Sequence, residues 1–168
     1  MKLLMITTMP PQQRSPGAIP VLLYGQLSGI RARHEVTIVT LAGPDEAEVD
    51  AVAQLRRSGL EVHAVERSRV VGLRGWVRRG SMAASWMFSA VPKRTIWYRE
   101  SRMQSAIDSV LADRRFDVIQ VENLAAGVYR LPSAIPKLLA HHEVLRDRPI
   151  DWSAWRRPRP VRSRTPCA

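Results

Sequence analysis

The chain has 168 residues, 45% of them hydrophobic, which suits one globular domain with a core of its own. It contains no apolar run of about 18 residues, so it offers no spanning helix, and its single cysteine, Cys167, excludes an intrachain disulfide and a cysteine-based zinc site. The net charge of +11 raises nucleic acid as a partner, but residues 145–168 carry seven Arg against two Asp, and a general arginine tilt is weaker evidence for nucleic acid than one clustered basic face.

The chain enters a strand pattern at once, from Lys2 to Thr7, without the basic n-region, long apolar stretch and cleavage site of a signal peptide, so a cytoplasmic location is expected. Thr8 to Gly17 has three prolines and no period, and reads as a loop. Ala18 to Ala32 predicts a helix, with Ile19, Leu22, Leu23, Leu27 and Ile30 on one stripe. A turn at Arg33 and His34 leads to a β-branched strand, Glu35 to Thr40. Strand, helix, strand in this order is a βαβ unit, which feeds a parallel sheet through a right-handed crossover.

Asp45 and Glu46 open a second helix, with Val49, Val52, Ala53 and Leu55 as its apolar face and Gly59 as its stop. Leu60 to Val65 alternates and predicts a third strand near an edge. Residues 67–94 break the rhythm. Arg74, Trp76, Arg78, Arg79 and Trp86, interleaved with Met82, Met87 and Phe88, fit an amphipathic segment on anionic lipid; the competing reading packs the aromatics on the domain and leaves the arginines solvated. Thr95 to Arg115 predicts a long helix, with Ile96, Met103, Ala106, Ile107, Val110 and Leu111 sharing a face. Phe116 to Val121 is a fourth strand, Leu124 to Leu131 a short helix, and Lys137 to His141 a fifth strand. From Leu145 the chain turns Arg- and Pro-rich, a composition that opposes packing and predicts a disordered basic tail over 145–168. Strands alternating with helices predict an α/β fold, a doubly wound parallel sheet in a three-layer α/β/α arrangement.

In such sheets ligands sit beyond the carboxyl ends of the strands, where helix N-termini offer free N–H groups. Two strand ends there are polar, Glu122-Asn123 and His142-Glu143, and they open on the same crevice as the 8–17 loop with its Gly17. A histidine and two carboxylates in one crevice can orient sugar hydroxyls, act as a base or hold a metal. Each residue taken singly also fits a helix cap or a satisfied polar group, and Gly17 fits a plain turn. Metal is the weaker option, because the adjacent His141 and His142 would point to opposite faces of a strand. Neither GxGxxG, GxxxxGK[ST] nor GxSxG is present.

The segments KLLMITTMPPQQRSPGAIPVLLYGQLSGIRARHEVTIVTL and FDVIQVENLAAGVYRLPSAIPKLLAHHEV, in this order, resemble the acceptor-side N-terminal domain of family 4 glycosyltransferases, over residues 2–144. The resemblance implies a Rossmann-like domain, one half of a GT-B fold. It implies transfer of a sugar from a nucleotide-sugar donor to an acceptor, lipid-linked or polysaccharide, with retention of anomeric configuration and with neither metal nor other cofactor. Gly17 would be the loop glycine near the donor phosphates and His142 the cleft histidine, with Glu122, Asn123 and Glu143 lining the cleft. Arg74, Trp76, Arg78, Arg79 and Trp86 would form a membrane-facing acceptor patch at the inner face of the membrane. The family's second domain, with its E-x7-E motif, is missing from the sequence, so the chain alone is expected to be a truncated, inactive half, or one that works with a separately encoded donor-binding domain. Two other readings stand beside this one: a basic non-catalytic module that binds a polyanion, nucleic acid or anionic membrane, through its tail, and a stand-alone flavodoxin-like binding domain.

Overall fold

The structure is a computed structural model, and it describes residues 1–67 and 100–142. Its centre is a single sheet of five strands: β1 (Lys2–Thr7), β2 (Glu35–Ala42), β3 (Glu61–Glu66), β4 (Val118–Glu122) and β5 (Lys137–Ala140). All five run parallel, in the order β3-β2-β1-β4-β5. Between them lie α1 (Ala18–Arg31), α2 (Glu46–Arg57), α3 (Ser101–Asp113) and a short 3-10 helix, Leu124–Val128. This is the Rossmann-like, doubly wound α/β fold that the alternating pattern predicts.

Alternation along the strands sorts the core into two layers. Leu4 and Ile6 of β1, with Val39, Leu41, Ile119 and Val121, pack under Met103, Ile107 and Val110 of α3. Leu3 and Met5, with Val36, Ile38 and Val62, pack under Leu27 of α1 and Val52 and Leu55 of α2. Both faces of β1 and β2 are therefore buried, as befits parallel strands covered by helices on either side.

Local contacts set the ends of the helices. Asp45 caps α2 by accepting from the Ala47 N–H at 3.3 Å. Gly59 stops it with φ +85°, a left-handed conformation that glycine adopts without strain. Arg56 does more than complement the helix dipole: its Nε and Nη2 donate to the Val62 carbonyl at 3.1 and 2.9 Å, so α2 is tied to β3. Arg31 ties α1 to the end of α2 through Ser58 Oγ and the Ser58 carbonyl, both at 2.9 Å.

Three details depart from the sequence pattern. Leu22 is 47% exposed, and the buried positions of α1 are Pro20, Leu23 and Leu27. Leu22 lies on the same wheel as these residues but turned away from their centre, past the flank held by Ile19. Val49 is likewise exposed, while Ala51 takes the inward position on α2. The segment after β4 closes as a 3-10 turn and becomes extended at Tyr129, two residues before the predicted end of a helix. β3 stands at one sheet edge, as its alternation suggests. The other edge is β5, where Leu138 and Leu139 point to opposite faces and are both about half exposed.

No described helix is long and apolar enough to cross a membrane. Ile96, the amphipathic stretch with Arg74, Trp76, Arg78, Arg79 and Trp86, and the tail over 145–168 lie outside the described residues.

Candidate functional site

The chain runs outward from β1 to β2 and β3, then crosses back to β4 on the other side of β1. The strand order therefore reverses between β1 and β4, and the crevice beyond their carboxyl ends is the place where doubly wound sheets bind ligands. Thr7 ends β1 and Glu122 ends β4, and the two stand in register. Glu122 is also in register with Ala140, the last residue of β5.

Glu122 is fully buried. A carboxylate taken out of water is costly unless donors replace its hydration. Two donors do so. Gln120, two residues back on the same face of β4, gives its Nε2 amide to Oε1. His142, just past the end of β5, places Nε2 at 2.6 Å from Oε2, with only 10% of the imidazole exposed. The two polar strand ends picked out in the sequence thus meet in one hydrogen-bonded pair.

Asn123 is the one non-glycine residue with positive φ among the described residues, at φ 77° and ψ 142°. Such a backbone costs about 1–3 kcal/mol and is held by its surroundings. Here its N–H donates to the Ala140 carbonyl at 2.9 Å, and its side-chain oxygen accepts from the Ala125 N–H at 3.4 Å. Asn123 is therefore committed as the cap of the 3-10 turn that follows β4.

Gly17 is exposed and caps α1 without a side-chain bond. Its φ of −91° is open to any residue, and an added Cβ would meet Pro20 Cδ at an ordinary 3.5 Å. The fold itself does not require glycine there. Before it, Pro10, Pro11 and Gln12 are buried, and the Gln12 N–H donates to the Pro20 carbonyl at 3.0 Å, so the loop folds back on α1. Glu143 lies outside the described residues.

Two contributors were not among the predicted residues. Gln120 had a signal: Gln and Glu at alternate positions of an otherwise apolar strand share one buried face. Arg67, just after β3, had none, because its partners are distant in sequence. Its Nη2 donates to the Thr8 carbonyl at 3.2 Å and lies 3.7 Å from Glu48 Oε2, which itself accepts from the Gly43 N–H. The Thr8 hydroxyl and Arg67 Nε are buried without a hydrogen-bond partner among the described residues. A separate cavity of about 710 Å³ lies beside Gln104, Asp108, Tyr129 and Arg130, and among the described residues its lining includes none of Gly17, Glu122, Asn123 and His142.

The Glu122–His142 pair can orient a ligand hydroxyl or accept its proton. Among the described residues no group of three or more His, Cys, Asp or Glu could hold a metal ion. His141 and His142 both follow the end of β5. Charge is unevenly placed: residues 1–67 and 100–142 hold 12 basic and 12 acidic side chains, whereas 68–99 hold seven basic and none acidic, and 143–168 seven basic and three acidic. The described body is neutral, and the +11 belongs to the other two segments.

Compared with known proteins, the chain matches no family model and no curated sequence.

Proposed function

We propose that this chain is the N-terminal, acceptor-side half of a retaining glycosyltransferase, which moves a sugar from a nucleotide-sugar donor to a hydroxyl acceptor. The observation that carries the reading is the Glu122–His142 pair at the β1–β4 switch point. His142 faces the transferred sugar in this reading, Glu122, Asn123 and Glu143 line the cleft, and Gly17 lets the loop approach the donor phosphates. The donor is a co-substrate, and no metal or other cofactor takes part. The partner in this reading is a missing or separately encoded C-terminal donor-binding domain, which would form the other wall of the cleft. The acceptor is a sugar chain or a lipid-linked sugar, met at the cytoplasmic face of the membrane through Arg74, Trp76, Arg78, Arg79 and Trp86.

The second reading, a polyanion-binding module, would act through residues 68–99 and 143–168, which hold the chain's excess positive charge.

The test joins the chain to the donor-binding half of a family 4 glycosyltransferase and follows transfer of labelled sugar from a set of nucleotide sugars. Transfer by the joined protein, at least 100-fold reduced by His142→Ala, is the expected result; a rate unchanged by that substitution, or transfer by the chain on its own, contradicts the proposal.

A further inference from the structure

We infer that Glu122 is a positioning residue: it fixes His142 with the proton on Nε2, so that Nδ1 is the ring atom offered to the crevice, as an acceptor for a ligand hydroxyl.

A carboxylate only accepts, so each N–H that meets Glu122 must donate. Gln120 Nε2 takes Oε1, and His142 Nε2 stands 2.6 Å from Oε2. The proton of the ring must then sit on Nε2. The other ring nitrogen makes no hydrogen bond among the described residues, and it is not one of the buried atoms left without a partner. Nδ1 is therefore the open nitrogen. In the neutral ring it carries a lone pair and can only accept. A sugar or polyol hydroxyl can give it a proton, whereas a fully ionised phosphate has none to give and would face the buried Glu122 charge behind the ring. Rotation of the ring is opposed because it would strand a fully buried carboxylate oxygen.

This deepens the transferase reading and rests on the crevice being its acceptor-side site. The state of the ring is measured without any sugar, so its failure and the failure of that reading are separate results.

The experiment is histidine ¹⁵N NMR on the full chain at pH 8, with the signals of residue 142 assigned by their loss in His142→Gln. The expected spectrum has a protonated Nε2, a bare Nδ1, and an imidazole N–H proton protected from solvent exchange. A proton on Nδ1, or no protected N–H proton, overturns the inference. In Glu122→Met, which keeps the length of the side chain and removes both acceptor oxygens, exchange of that proton should rise at least 10-fold; a folded variant that keeps the protected proton also overturns it. If Glu122→Met does not fold, the wild-type spectrum decides the matter by itself.

Discussion

Arg67 Nη2 donates to the carbonyl of Thr8 at 3.2 Å, so the end of β3 grips the end of β1 across the intervening β2. Adjacent strands lie about 4.8 Å apart, and an extended arginine together with its hydrogen bond covers about two such spacings. The contact fixes the start of the 8–17 loop, which borders the crevice. Replacing Arg67 by Met should keep the stem, remove the donor and cost about 0.5–1.5 kcal/mol. Amide exchange over residues 8–17 should rise while exchange in β4 stays unchanged. Equal protection of the loop in both proteins would show that Arg67 does not hold it.

The two leucines of α1 should respond differently to truncation. Leu27 is 1% exposed and sits between α1 and the sheet, whereas Leu22 is 47% exposed. Leu27→Ala should destabilise the protein by about 2–5 kcal/mol, through lost burial and a residual cavity. Leu22→Ala should stay within about 0.5 kcal/mol. Urea unfolding of the two variants gives both numbers.

The sequence pattern locates these elements well and their inner faces less well. Five strands and the helices between them follow from periodicity and from stops such as Gly59. Periodicity cannot choose the centre of a stripe, because Leu22 and Leu23 differ by one step on the wheel and only packing decides between them. At the site, the polar strand ends Glu122 and His142 are legible as outliers in apolar segments. Their direct bond is not, because it depends on β5 lying beside β4. The Arg67–Thr8 contact joins residues 59 apart and leaves no local trace.

Gly59 and Gly17 should behave in opposite ways. Gly59 has φ +85° with open space where a methyl group would stand, so Gly59→Ala should cost about 1–2 kcal/mol of backbone strain alone. Gly17 has φ −91°, and serine there adds a capping oxygen to α1. Gly17→Ser should leave stability equal or raise it by about 0.5 kcal/mol. If the loop approaches a ligand closely, the same change should weaken binding while the thermal midpoint holds.

Acid should release the cluster around Glu61. Burial raises the tendency of this carboxyl to hold its proton, but the hydrogen bond from His63 at 2.9 Å, the Arg114 guanidinium at 2.6 Å and Thr37 outweigh it, and its pKa is lowered from 4.5. A lowered carboxylate contributes stability that is present above its unfolded pKa and is lost as pH falls through the folded one. The stability gap between the wild type and Glu61→Gln should therefore be widest above about pH 4.5 and should close below it. The Glu61, His63 and Arg114 side chains are more than one-third exposed, so the gap should be no more than about 1 kcal/mol and should shrink with salt. Urea titrations from pH 3 to pH 7 read it directly.

The crevice at the ends of β1 and β4, on the reading proposed above, receives a hydroxyl-rich ligand. Titrating the ¹⁵N-labelled chain with a panel of mono- and disaccharides, and separately with heparin, tests this most directly. Saccharide should move the signals of Thr7, Thr8, Gly17, Asn123 and His142 together, and His142→Ala should abolish the effect. Heparin shifts confined to residues 68–99 and 143–168, with no saccharide moving the crevice signals, would contradict it.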